Sequence, residues 1–263
     1  MSIATLSRPL QRPRHLLRQA LYVVGFPVFS LFSGRVGFTL FFRRQGRWYA
    51  RTRGQTFPVR TPNLRVLEYF RHFVPRSGEV VFDVGGEFGL ETELFARMVG
   101  PTGKVLVFEC MPHHVAHLER LAAGLPAVEI VNVACWDKPC ELKFHAGHTP
   151  GSNTAVPDAR GQSGQALANA EGETFMVRAD TLDNLWKRLH QGRPVDFLKM
   201  DIEGAEYEAL AGATEMLQHT RRAVIAAYHI RDGVATAARV AEQMRAAGFQ
   251  VRTDENLHVY AWR

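Results

Sequence analysis

From Val80 onward, apolar positions follow two periodicities in turn. Short runs rich in Val, Phe, Leu and Ile, at Val80–Val84, Val105–Glu109, Val128–Ala134, Phe197–Asp201 and Ala223–Tyr228, have the length and β-branched content of buried strands. Between and after them, Glu91–Val99, His114–Ala123, Leu182–His190, Ala205–Leu217 and Ala235–Ala247 have helical character. That alternation predicts an α/β fold, a parallel sheet with helices on both faces. Gln250–Thr253 and His258–Trp262, around Asp254-Glu255-Asn256, predict a terminal antiparallel hairpin. Residues 146–172, rich in Gly, Ser, Asn and Ala, interrupt the pattern, and an insert of this length is more often a functional loop than a spacer.

Upstream of Val80 the pattern is different. Arg47–Thr52 and Thr56–Thr61 flank Arg53-Gly54-Gln55 and predict a β-hairpin, followed by a helix over Leu64–Phe73 that Pro75, Ser77 and Gly78 end. Leu16–Phe42 is crowded with large apolar residues, and its longest charge-free run, Gln19–Gly34, has 16 residues. As a helix that run is about 24 Å long, short of the roughly 30 Å hydrocarbon core. With Gly25 and Pro27 inside it, the segment predicts an interfacial or core-docked helical extension rather than a membrane span. The expected organisation is a basic, apolar extension at 1–46, a hairpin and helix at 47–78, and a catalytic domain at 79–263 carrying the insert.

Charge sharpens this division. The chain has 32 Lys+Arg and 26 Asp+Glu, but residues 1–78 hold 14 of the bases and one acid, Glu68. A net +13 there sits beside a net −7 over 79–263, which suggests contact with an anionic membrane surface, nucleic acid or phosphorylated substrate. Cys110, Cys135 and Cys140 are too few for a disulfide framework, and the pair at 135 and 140 has no matching second pair for zinc. They read as small hydrophobes in a reducing compartment, the cytoplasm.

The first strand runs Val80-Val81-Phe82-Asp83-Val84 into Gly85-Gly86-Glu87-Phe88-Gly89. Such a glycine-rich turn lies at the carboxyl edge of an open α/β sheet, where ligands bind. The spacing is Asp-x-Gly-x-x-x-Gly, so the dinucleotide fingerprint is absent, and the acid favours a cation such as an amino group over a phosphate. The second strand ends at Glu109, about 20 residues after the glycines, where a carboxylate suits ribose hydroxyls. Together these features are the usual arrangement for S-adenosylmethionine (SAM). Asp83, Gly85, Gly86 and Gly89 are expected at the methionine end, Glu109 at the ribose, and Asn132–Ala134 near the adenine.

Phe82-Asp83-Val84-Gly85 with Gly89, Phe108-Glu109-Cys110-Met111-Pro112, Val131-Asn132-Val133-Ala134, Thr181-Leu182-Asp183 and Asp196-Phe197-Leu198-Lys199-Met200-Asp201-Ile202-Glu203-Gly204-Ala205-Glu206 resemble the FkbM-type methyltransferases. The resemblance covers roughly residues 47–228. It implies a Rossmann-like class I methyltransferase fold and SAM-dependent O-methylation, often of sugars or natural products, with Cys110 and Met111 among the cofactor-binding residues. Gly86 and Glu87 depart from the family, which usually has alanine and asparagine there.

Asp201, Glu203 and His229 fall at adjacent strand ends and are the expected catalytic residues. A sugar hydroxyl is a poor nucleophile at neutral pH, so transfer needs a base, a metal or both. Glu203 or His229 can take the proton, or Asp201 and His229 can share Mg2+ or Mn2+ with the acceptor. His145, His148, Ser152, Asn153 and Thr154 read as a solvated loop, with a polar lid as the other option.

The expected activity is O-methyl transfer to a saccharide, glycolipid or natural product. An RNA methyltransferase is the runner-up, disfavoured because no RNA-binding module and no Asn/Asp-Pro-Pro-Tyr motif is visible. A non-catalytic membrane-associated scaffold is the third reading. Leu16–Phe42, bordered by arginines, suggests peripheral attachment to the inner face of the membrane, with burial against the catalytic domain or a second copy of the chain as the competing outcome.

Overall fold

The computed structural model describes residues 28–29, 39–44, 47–52, 55–59, 66–147, 152–169 and 171–263. The chain divides into two compact units, residues 1–62 and 63–263. In the first, β1 (Val28–Phe29), β2 (Thr39–Arg44), β3 (Arg47–Thr52) and β4 (Gln55–Val59) form one antiparallel sheet in that order. The hairpin expected around Gly54 is present, with Thr52 opposite Gln55. The helical character expected of Leu16–Phe42 is not found where that segment is described, because Val28–Phe29 and Thr39–Phe42 are strand. Thr39-Leu40-Phe41-Phe42 is aromatic and β-branched, and a paired neighbour satisfies its backbone. The rest of that segment and the basic arm lie outside the described residues.

Of the helix expected at Leu64–Phe73, the described residues form a 3-10 turn, Val66–Phe70, with no helix beyond it, and 64–65 lie outside the described residues. Adjacent Tyr69 and Phe70 are both buried. Then follow β5 (Val80–Val84), α1 (Leu90–Val99), β6 (Lys104–Glu109), α2 (Pro112–Ala122), β7 (Val128–Asn132), β8 (Ala134–Cys135), β9 (Cys140–His145) and β10 (Thr174–Asp180). The chain continues through α3 (Leu182–His190), β11 (Phe197–Met200), α4 (Glu206–Ala211), α5 (Thr214–Gln218), β12 (Arg222–Ala226), β13 (Ile230–Arg231), β14 (Val234–Ala235), α6 (Ala237–Ala246), β15 (Gln250–Thr253) and β16 (His258–Trp262).

Seven strands make the main sheet, in the order β15-β16-β12-β11-β5-β6-β7. β12, β11, β5, β6 and β7 run parallel, and β16 is antiparallel to both its neighbours. Chain order reverses between β5 and β11, and the crevice outside a strand-order reversal is where open α/β sheets bind ligands. The continuous apolar strands follow from burial on both faces: Val81, Phe82, Val105, Leu106, Val107, Phe197 and Leu198 have no exposed surface.

Three features depart from the sequence expectation. The strand expected over Val128–Ala134 breaks at Val133, whose N–H bonds to the Glu109 carbonyl at 3.1 Å. Ala134–Cys135 instead joins a second sheet, β8-β10-β9. The single helix expected over Ala205–Leu217 is two, separated at Gly212, where a β-carbon would lie 2.1 Å from the Trp136 carbonyl oxygen. Asp183 caps the second of them, accepting Glu215 N at 3.0 Å and Met216 N at 2.7 Å, while Thr181 caps α3 through Asn184 N at 3.1 Å. The Thr181-Leu182-Asp183 segment thus serves two helix N-termini within three residues.

Candidate active site

The carboxyl ends of β5, β6 and β11, with β8, β9 and the insert, enclose a cleft. Its empty space, open mouth included, is about 770 Å3. Gly85, Glu109, Cys110, Met111, Ala134, Asp201 and Glu203 line it, as expected for the site. Gly85 has φ 82°, and a β-carbon there would stand 1.8 Å from the Asp201 carbonyl oxygen. Only glycine lets the turn pass the rim this closely.

The carboxylate of Glu109 is buried and accepts three backbone N–H groups. Oε1 accepts Cys110 N and Met111 N at 2.9 Å each, and Oε2 accepts Glu87 N at 3.0 Å. Burial by itself raises its pKa, but neighbouring His114 and these backbone N–H groups outweigh burial and hold it below the ordinary value. Cys110 and Cys135 are buried thiols pushed up by desolvation, so they serve as apolar lining.

Four other expected cofactor residues lie outside the cleft lining. Asp83 is fully buried, held by Thr92 Oγ1 at 2.6 Å and by Lys199 Nζ at 3.1 Å. Lys199 also donates to the Gly85 carbonyl and sits 5.6 Å from the Tyr69 ring, so Asp83 acts on the glycine turn through this lysine. Burial works against the Lys199 charge, but Asp83 and Glu91 raise its pKa above the ordinary value. A β-carbon at Gly86 or Gly89 would collide with Val107, Leu118 or Leu121, so packing alone requires glycine at both. Asn132 is exposed at the end of β7.

Beyond the cofactor half, Asp201, Glu203 and His229 come together. One ligand atom from each lies within 4.8 Å of the others. His229 Nε2 faces Asp201 Oδ1 at 3.7 Å and Glu203 Oε2 at 3.6 Å, while its Nδ1 lies 2.8 Å from Glu206 Oε1. Tyr69 and Tyr228 both donate to Asp201 Oδ2, at 2.6 and 3.0 Å. Asp201 Oδ1 and His229 Nε2 are buried and make no hydrogen bond among the described residues. His229 has no exposed surface and stands behind the two acids rather than in the cleft wall.

Charge at this rim is crowded. Burial raises Glu203 to about 8, against the pull of His229. Burial lowers His229, but Glu206 reverses this and holds it at about 9. Glu91, also lining the cleft, is raised by burial to about 7. Two lining residues that are not glycine, Glu87 at φ 46° and Glu203 at φ 53°, occupy the left-handed region. Such conformations cluster at functional sites because the surroundings must hold them.

Ser152-Asn153-Thr154 is not the solvated loop expected. Ser152, Asn153 and Thr154 are buried, and Asn153 lines the cleft. His145 ends β9, half-buried, and His148 lies outside the described residues. Sequence reasoning missed Tyr69, Tyr228 and Glu91 altogether, and it quoted Glu206 without a role. Tyr69 carries no local signal, since 132 residues separate it from Asp201.

A parallel-sheet crevice, a buried acid fixed by backbone N–H groups at the end of β6 and a glycine turn against an acidic rim define a class I SAM-binding fold. Across residues 83–251 the chain matches the methyltransferase FkbM domain, and it belongs to that family. It is similar to the 2-O-methyltransferase NoeI of Sinorhizobium fredii, 25% identical over 61% of this chain and 68% of that one. Methyltransferase sdnD of Sordaria araneosa is 30% identical over 53% of this chain and 62% of its own length. The crystal structure of methyltransferase FkbM from Methylobacillus flagellatus shares the fold, with a TM-score of 0.50 and 16% identity over 74% of this chain and 46% of that chain. The fold and cleft are those of a SAM-dependent methyltransferase.

Proposed function

We propose that this protein transfers a methyl group to a hydroxyl oxygen of a saccharide, glycolipid or related natural product, with Glu203 as the base. The observation that carries this is a carboxylate in the cleft wall, 3.6 Å from the His229 imidazole, which burial raises above the ordinary carboxylate range and so suits to accepting a proton. Glu109 suits the ribose, and the Gly85 turn suits the methionine end. SAM supplies the electrophilic methyl carbon and leaves as S-adenosylhomocysteine. The acceptor oxygen forms the new bond to that carbon, the carbon–sulfur bond breaks, and Glu203 receives the hydroxyl proton. His229, charged and buried, orients Glu203 and Asp201, and Asp201 positions the acceptor. Oxygen as the methylated atom is supported by the similarity to a 2-O-methyltransferase. The family resemblance supports the saccharide.

Methyl-labelled SAM offered to oligosaccharides, glycolipids and RNA tests this reading. Label in the saccharide or glycolipid fraction as a methyl ether is expected. Label in RNA alone overturns it, and SAM binding with no turnover on any acceptor favours a non-catalytic scaffold.

A second mode has a specific observation behind it: Asp201, Glu203 and His229 each offer a ligand atom within 4.8 Å of the others, and Asp201 Oδ1 and His229 Nε2 make no hydrogen bond among the described residues. Oxygen and nitrogen donors of this kind suit Mg2+ or Mn2+ better than zinc. Turnover lost in EDTA and restored by Mn2+ selects this mode, and full turnover in EDTA leaves acid–base transfer alone.

We also propose that residues 16–47 attach the protein peripherally to an anionic membrane face, supported by their apolar content and flanking arginines. Among the described residues no helix is long and apolar enough to cross a membrane. Flotation of the full chain with anionic vesicles is expected, and its absence overturns the attachment.

A further inference from the structure

Glu203 carries its carboxylate on a backbone that a β-carbon disfavours, at φ 53°, and Gly204 follows at φ 97°. Something must hold this turn. The Gly204 carbonyl accepts Arg231 Nη1 at 3.1 Å. The Glu203 carbonyl accepts Thr154 Oγ1 at 2.8 Å, a partner 49 residues away in the insert. Thr154 has no exposed surface. Its hydroxyl also accepts Val156 N at 3.0 Å, and its backbone pairs with His145 at the end of β9 through bonds of 2.9 and 3.1 Å.

The same stretch touches the rim twice more. A β-carbon at Gly204 would meet that of Ala159 at 2.8 Å. Arg160 and Ile230 exchange backbone hydrogen bonds of 2.9 and 2.7 Å, directly after His229. Residues 152–160 are therefore joined to the ends of both strands that bear the rim, and Asn153 faces the cleft between them.

We propose that Thr154 is a positioning residue for Glu203, and that this stretch of the insert is a working part of the catalytic rim. The inference rests on the reading of Glu203 as the base. The hydroxyl satisfies a carbonyl that the left-handed turn directs into the protein. Without that donor the turn relaxes toward an ordinary conformation and carries the carboxylate away from the acceptor.

Thr154→Val keeps the shape and removes the donor, whereas Thr154→Ser keeps the donor. Hydrogen exchange of the full chain with S-adenosylhomocysteine bound, read on peptides covering 201–207, needs no acceptor. Thr154→Val is expected to speed exchange there at least tenfold and Thr154→Ser less than threefold. Turnover on whichever oligosaccharide takes the label is expected to fall at least tenfold in the valine variant and recover in the serine variant, with SAM affinity within twofold in both. Wild-type exchange in Thr154→Val overturns the proposal, as does a serine variant no better than valine. A parallel loss of SAM affinity, the mark of a merely structural role, also overturns it. If no saccharide takes the label, the exchange result still decides the positioning claim, and the acceptor reading alone falls.

Discussion

At the end of β6, Glu109 is met by three backbone N–H groups and held ionised before any ligand arrives. Across the cleft, Glu203 faces a single imidazole at 3.6 Å, and burial pushes its pKa up to about 8. The first arrangement suits binding, because a carboxylate with fixed charge and direction loses little on meeting two hydroxyls. The second suits chemistry, because a group that gains and loses a proton near neutrality can exchange one with its substrate. One sheet edge supports both because its strand ends differ in what surrounds them: a ring of backbone donors on one side, a cluster of acids around one histidine on the other.

The largest effect that would break this contrast is at Glu203. Glu203→Gln is expected to lower turnover by about 10²- to 10⁴-fold, the usual contribution of a general base, with SAM affinity within threefold. Turnover by the unaltered protein is expected to rise with pH through about 8, since the base works ionised. Near-normal turnover in Glu203→Gln, or a falling profile, would place the base elsewhere.

Next comes the cofactor half. Glu109→Ala removes a charged acceptor and strands three N–H groups, so SAM affinity measured by calorimetry is expected to fall by about 10- to 100-fold. Turnover at saturating SAM should stay within a few-fold of normal. Equal losses in both quantities would erase the distinction between the two halves.

The smallest effect sharpens the boundary. Glu91 is raised from 4.5 to about 7 in the folded protein, mainly by burial. Between those values the folded state keeps a proton that the unfolded chain has released, so the stability it contributes is full below pH 4.5 and lost as pH rises through about 7. Glu91→Gln is therefore expected to be more stable than the parent by about 1–2 kcal/mol at pH 8, with the difference vanishing by pH 4.5. Paired denaturant melts at the two pH values check this.

The main sheet was legible because buried parallel strands are written as near-continuous apolar runs, and α3 was read to the residue because Thr181 caps it and its apolar stripe is regular. The second sheet was not. Glu141-Leu142-Lys143-Phe144 alternates plainly enough, but its partner Thr174–Asp180 lies across a polar insert. Asp201 and Glu203 were legible from their place after an apolar strand. The direction of Asp83 was not, because its charge is taken up by Lys199 from a strand more than a hundred residues on. Tyr69, Thr154 and Glu206 act through contacts that only the folded chain makes.

The position of β16 between β12 and β15 bears on how the protein is made. Its residues, His258–Trp262, follow every other strand of the sheet in chain order, and they fill an interior place in it. Until they emerge, β12 presents an open edge, with Ala223, Val224 and Ile225 lacking their eventual partners. At a synthesis rate of about 5–20 residues per second, that edge is uncovered for seconds on every nascent chain. An unpaired apolar strand edge is a template for other chains. A chaperone that shields it before release would raise the yield of folded protein, and ribosome stalling just short of His258 would lower it.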